Sequence, residues 1–143
     1  MNLLKDLNPQ QRKVVTITEG PVLVLAGAGS GKTRSVIYRT AYLIKEKKIN
    51  PWNILVVTFT NKAAGELKER LENTFKISAY SLWIGTFHSV CTRILRFEKK
   101  YLPFDPNFSI YDEIDQKSVF KKIYKKLDVD HQKFHPGTVR EII

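Results

Sequence analysis

Ala26-Gly27-Ala28-Gly29-Ser30-Gly31-Lys32-Thr33 is the stretch on which the reading of this chain turns. Immediately before it stands Val22-Leu23-Val24-Leu25-Ala26. The length and β-branching of that apolar run predict a strand buried on both faces, as in a parallel sheet. Immediately after it, from Thr33 to about Lys47, apolar residues recur at helical spacing, with Val36, Ile37, Tyr38, Ala41 and Leu43/Ile44 on one side. A glycine-rich turn between a strand and a helix is the context a phosphate-binding loop requires. Glycines let the backbone turn tightly and aim its N–H groups inward. The helix N-terminus adds partial positive charge. In such a loop Lys32 reaches the β- and γ-phosphates of a nucleotide and the Thr33 hydroxyl binds Mg²⁺. The strict pattern begins with glycine. Ala26 stands in its place, and its small side chain still lets the loop form. The bland alternative is a glycine-rich turn with no ligand, against which Gly31-Lys32-Thr33 in this context argues. The motif alone specifies a phosphate-binding fold and no particular reaction.

Outward from the loop, the same alternation repeats. Leu7-Asn8-Pro9 opens a helix, with Asn8 as cap and Pro9 at the first helical position, running to about Thr18. Ile54-Leu55-Val56-Val57-Thr58 predicts a second buried strand, and Asn61 a cap for the helix carrying Ala63, Ala64, Leu67 and Leu71. Leu82-Trp83-Ile84-Gly85 predicts a third strand, followed by a helix from about His88 to Lys100. A helix, then strand–helix three times, predicts an α/β fold with a parallel sheet flanked by helices. After Tyr101 the character changes. Pro103, Pro106 and Asn107 form a break, and the Lys-rich remainder reads as helices, one from Glu113 to Leu127 and another opening at Pro136. Val139 to Ile143 reads as a helix begun and cut, so the chain is expected to stop inside a structural unit.

The 143 residues suffice for about one domain. At 43% hydrophobic and 11% aromatic the chain can bury a core and is not a disordered tail. Lys+Arg 24 against Asp+Glu 14 gives a formal charge of +10, which fits either a solvated basic surface or a polyanionic partner. The single cysteine, Cys91, excludes an internal disulfide and is expected to be a buried structural thiol. Three histidines and one cysteine give no zinc-ligand spacing. Met1 to Gln11 lacks a secretory pattern, and no apolar run is long enough to span a membrane, so a cytoplasmic protein is the default expectation.

Several segments narrow the class. Leu7-Asn8-Pro9-Gln10-Gln11 precedes the loop, Thr58-Phe59-Thr60-Asn61-Lys62-Ala63-Ala64 closes the second strand, and Gly85-Thr86-Phe87-His88-Ser89 closes the third. Together with the loop and Arg34, in this order, they resemble the UvrD/PcrA/Rep family of superfamily I DNA helicases. The resemblance covers about the first hundred residues and continues more weakly through Phe108-Ser109-Ile110-Tyr111-Asp112 and Asp115-Gln116. It implies a RecA-like P-loop NTPase domain, present in part over residues 1–90, then the start of an α-helical accessory insertion over 91–143. It also implies an ATP-dependent motor that moves 3′ to 5′ on single-stranded DNA and opens single-strand/duplex junctions. ATP, with Mg²⁺, would sit between this domain and a second motor domain of the same polypeptide.

The resemblance assigns roles residue by residue. Gln11 would read adenine, since an amide can pair bidentately with N6 and N7; the alternative is a capping-box partner of Asn8. Ala26, Gly27, Ala28, Gly29, Ser30 and Gly31 would cradle phosphates, with Lys32 and Thr33 as the catalytic pair and Thr33 as the metal ligand. Arg34 would contact the base, or be a solvated first-turn arginine. Phe59, at the carboxyl end of a strand where ligands bind in such folds, would stack a DNA base, or pack in the core. Thr60, Asn61 and Thr86 would bind DNA phosphates. His88 would donate to DNA, or be a satisfied buried imidazole.

Tyr111-Asp112-Glu113-Ile114-Asp115 imitates the acidic motif that holds Mg²⁺, but Pro106-Asn107-Phe108-Ser109-Ile110 before it is no buried strand. A helix start, with acids near the positive end, is the expectation there. Without an acidic pair or transition-state arginines, the segment by itself is expected to turn ATP over hardly at all. The readings set against this one are an isolated nucleotide- and DNA-binding module without turnover, the motor part of a recombination helicase–nuclease, and an unrelated phosphate-loop kinase, which would need no DNA-facing phenylalanine.

Overall fold

The computed structural model describes residues 3–105, 107–129, 134–135 and 137–139. The expectations at Pro106 and Pro136 and for the last four residues lie outside them. The chain forms two compact units, Met1–Glu98 and Lys99–Ile143.

The first unit is α/β. Helix α1 spans Pro9–Thr16, α2 Lys32–Lys45 and α3 Asn61–Phe75. Strand β1 spans Leu55–Thr58, β2 Trp83–Thr86, and α4 Phe87–Phe97. The strands pair in parallel with Leu55 opposite Trp83, Val56 opposite Ile84, Val57 opposite Gly85 and Thr58 opposite Thr86. Side chains alternate across a strand, so Val56 and Ile84 share one face. There they join Leu67 and Leu71 of α3, Ile37 and Ala41 of α2, and Phe75 in one buried cluster. Tyr38 closes edge-on against Phe75 at 5.0 Å between ring centroids. Each fully buried aliphatic chain of this kind contributes about 1.5–3 kcal/mol. The opposite face, with Trp83 and Gly85, meets α4. Trp83 lies 5.9 Å from the Phe97 ring, and a β-carbon at Gly85 would press on Ser89 and on Val90, the latter at 3.3 Å. The Arg93 guanidinium lies over Trp83 at 4.2 Å and over Trp52 at 5.6 Å.

Arginines tie α1 to α2. Arg39 Nη1 donates to the carbonyls of Val14 and Ile17, and Arg34 Nη2 donates to Asp6 O at 2.7 Å. Val15 is fully buried beneath them.

Three expectations need correction. Val22–Ala26 is not a strand: the run has no regular secondary structure and no ladder, and Leu23 and Leu25 are 85% and 88% exposed. An apolar run reports a preference for burial, but a strand exists only where a neighbour supplies hydrogen bonds. Among the described residues β1 and β2 pair only with each other. The cap of α3 is Thr60, in extended conformation, with its side chain accepting from Ala63 N at 3.2 Å; Asn61 is the first helical residue. Cys91 is exposed, because on α4 it stands a hundred degrees round from buried Val90.

In the second unit, α5 spans Glu113–Leu127, as the sequence predicts. Asp112 Oδ1 accepts from Ile114 N and Asp115 N, both at 2.8 Å, and Asp115 Oδ2 accepts from Asp112 N at 3.2 Å. This reciprocal capping box makes the acidic run a helix start. Tyr124 is buried, with the Phe120 ring 6.1 Å away.

Candidate nucleotide and nucleic-acid site

The loop from Ala26 to Gly31 leads directly into α2. Two of its glycines adopt left-handed backbone, Gly29 at φ +73° and Gly31 at φ +85°. Non-glycine residues reach that region only with strain. Gly31 is the N-cap of α2 and no side chain caps the helix. The first N–H groups of α2 are therefore left for a ligand, and they stand at the positive end of its dipole. Loop residues 27–30, Lys32 and Thr33 are all exposed. An open helix start behind a glycine cradle fits the phosphates of a nucleotide.

The loop's own carbonyls are engaged. Lys32 Nζ donates to Ala26 O at 3.0 Å and to Gly27 O at 2.7 Å, and Ser30 Oγ donates to Gly27 O at 2.7 Å. The ammonium thus lies folded over the loop, within the reach of any phosphate seated there. Thr33 offers one hydroxyl oxygen to a cation. Among the described residues no group of three or more His, Cys, Asp or Glu could hold a metal, so Thr33 would supply one ligand of a site completed by the nucleotide, water or other carboxylates.

Gln11 serves the cap and faces the loop at once. Its N–H donates to Asn8 Oδ1 at 2.8 Å and its Oε1 accepts from Asn8 N at 3.2 Å, a full capping box. Its Nε2 donates to Ser30 O at 3.2 Å. An amide has two donors and two acceptor lone pairs, so one N–H and one lone pair stay available beside the loop. Arg34 is exposed, bonded to Asp6 O and lying over the Tyr38 ring at 5.4 Å. Both readings of Gln11 thus have a geometric basis, while Arg34 is a brace for the segment before α1.

The other group of expected residues lies where β1 and β2 end. Thr58 and Thr86 are register partners, so the residues after them emerge side by side. Phe59 is 92% exposed and does not pack in the core. Thr60 and Thr86 cap α3 and α4, accepting from Ala63 N and Ser89 N, both at 3.2 Å. Each retains its hydroxyl proton for an external acceptor. Asn61 and His88 are exposed on the first turns of those helices, so His88 is no buried imidazole. A hollow of about 440 Å³, lined by Lys32, Thr33, Val36, Thr58, Phe59 and Thr60 among others, connects these residues with the phosphate loop. Phe87, not singled out from the sequence, stands next to Phe59 with ring centroids 5.7 Å apart. The signal was present: both strands end in a threonine followed by phenylalanine, at Thr58-Phe59 and Thr86-Phe87.

A glycine-rich turn opening α2, a glutamine cap beside it and two strand ends that present threonines and an aromatic ring make a candidate nucleotide site on an α/β protein. The comparison with known sequences is specific: residues 7–143 match the family described as UvrD/REP helicase N-terminal domain, and the chain belongs to that family. It is 52% identical over 137 residues to the ATP-dependent DNA helicase PcrA of Bacillus subtilis, covering 96% of this chain and 18% of that protein. It is 48% identical over 134 residues to proteins of the same name from Staphylococcus epidermidis and Staphylococcus aureus, covering 94% of this chain and 18% of theirs. The chain thus spans less than a fifth of the length of these curated relatives.

Proposed function

We infer that this chain is the ATP-binding and single-stranded-DNA-contacting part of an ATP-dependent 3′–5′ DNA helicase. The observation that carries the reading is the uncapped start of α2 behind the Ala26–Gly31 cradle, with Lys32 over the loop and Gln11 bonded to Ser30 O. In this reading the backbone of residues 26–31 and the α2 N-terminus bind phosphates, and Lys32 leaves the loop carbonyls to neutralise β- and γ-phosphate charge. Thr33 would supply one ligand to Mg²⁺, and the ion, when bound, would contribute charge compensation for phosphoryl transfer. The spare donor and acceptor of Gln11 read adenine. Arg34 contributes through the brace to Asp6, or at the base if it swings free.

Phe59 offers a ring to a base, while Thr60, Asn61, Thr86 and His88 bind phosphates. The parallel pair β1–β2 with α3 and α4 on opposite faces is compatible with part of a RecA-like domain, and the helical Lys99–Ile143 unit with the start of an accessory insertion. The remaining motor parts would come from the same polypeptide, and the protein would work in the cytoplasm at single-strand/duplex junctions. Among the described residues no helix is long and apolar enough to cross a membrane.

The test is equilibrium binding of a fluorescent ATP analogue to the full polypeptide, with and without Mg²⁺. Lys32→Ala is expected to weaken binding about tenfold or more, the worth of a charge-assisted contact, and Thr33→Ala to remove the Mg²⁺-dependent increment. Unchanged binding in Lys32→Ala would overturn the reading.

A further inference from the structure

We propose that Phe87 is a positioning residue for Phe59, holding that ring at the angle at which it accepts a base of single-stranded nucleic acid. The inference rests on the nucleic-acid reading of Phe59 given above. Phe59 is a 92% exposed side chain at the start of a loop. A side chain so placed ordinarily samples several rotamers, and fixing it on binding costs entropy. Phe87 removes part of that freedom. It is the first residue of α4 and itself half exposed, and its backbone is fixed by the Thr86 cap. The register that sets Thr58 opposite Thr86 brings the two rings out one strand spacing apart, about 4.8 Å. The observed centroid separation is 5.7 Å with the planes tilted by 49°.

The same numbers say what the pair does not do. A base sandwiched between two rings needs two stacking distances, about 7 Å in all, and parallel planes. At 5.7 Å and 49° no base fits between Phe59 and Phe87. Phe87 touches Phe59 from one side and covers little of it, so the exposed ring face is left for a ligand. The first turns of α3 and α4 flank this face with exposed Asn61 and His88 and the two capping threonines. A nucleotide unit with its base on Phe59 would have its phosphates near two positive helix ends.

The experiment measures binding of a single-stranded oligonucleotide carrying 2-aminopurine to the full polypeptide, reading both affinity and the fluorescence change on stacking. Phe59→Leu is expected to weaken binding about tenfold and abolish the fluorescence change. Phe87→Leu is expected to weaken binding about two- to fivefold and reduce the fluorescence change with Phe59 intact. Phe87→Tyr should restore both, and Phe59→Leu/Phe87→Leu should bind no worse than Phe59→Leu alone. If Phe87→Leu lowers the melting temperature, Phe87→Met, which keeps the bulk without the ring, is read in its place. Wild-type behaviour of the Phe87 variant, or a double variant whose loss is the product of the single losses, overturns the proposal. A silent Phe59→Leu shows instead that the base-stacking reading of the loop is wrong, and the brace falls with it.

Discussion

The Gln11 amide and the α-carbon of Gly31 lie so close that a β-carbon on residue 31 would stand 2.6 Å from Gln11 Nε2. Gly31 therefore answers to two constraints, its left-handed backbone and the glutamine packed on it. Gly31→Ala is expected to cost about 1–2 kcal/mol from the backbone alone, and to push Gln11 from Ser30 O. A thermal melt read together with nucleotide affinity checks this: both should fall, whereas a melt unchanged with affinity intact would show that the loop has another free conformation.

Asp112 caps α5 in this fold. Asp112→Ala should destabilise α5 by about 1 kcal/mol, the usual cost of losing an N-cap. It should leave nucleotide binding and any turnover untouched. Amide hydrogen exchange across residues 113–127, paired with the ATP-analogue titration, separates the two effects; a loss of Mg²⁺-dependent nucleotide binding would return the acidic run to the active site.

Leu23 and Leu25 stand almost fully exposed on an apolar segment with no ladder. Such a segment is a template for edge pairing between molecules. Leu23→Lys with Leu25→Lys is expected to suppress concentration-dependent association of this chain, with the melting of residues 3–98 shifted by no more than about 0.5 kcal/mol. Light scattering across a dilution series makes the comparison. A large fall in stability would mean that the two leucines are buried in solution.

Leu71 sits at 1% exposure in the cluster beneath β1 and β2. Leu71→Ala should cost about 2–5 kcal/mol. Because that cluster carries both strands, the variant should lose the oligonucleotide contacts at Phe59 and the folded state together along one denaturant titration.

The comparison of sequence with structure separates two kinds of signal. Local chemistry was legible to the residue: Asn8-Pro9 starts α1, and Asp112 starts α5, which ends at Leu127. The strand at 55–58 starts one residue later than expected and ends where expected, and the strand at 83–86 is shifted by one residue at both ends. What failed needed a partner that the local sequence does not name. Val22–Ala26 reads as a strand because its composition is that of one, yet hydrogen-bonded pairing is decided by distant chain. Cys91 was misplaced because burial on α4 follows contacts with β2, and these favour Val90. Thr60 and Asn61 are both good caps, and only the backbone turn at Thr60 chooses between them. Phe87 went unread because its significance appears only once Thr58 and Thr86 are aligned.

That alignment sets a ruler. The distance between the two strand-end rings is dictated by peptide hydrogen bonds four residues deep in a ladder, and no loop length enters it. Side-chain substitutions at the rim can strengthen or weaken a grip there while its pitch stays constant. A one-residue slip of β2 against β1 would instead bring Gly85 or Phe87 opposite Thr58, turn the core face of the strand outward, and dismantle the site and the hydrophobic cluster in one step.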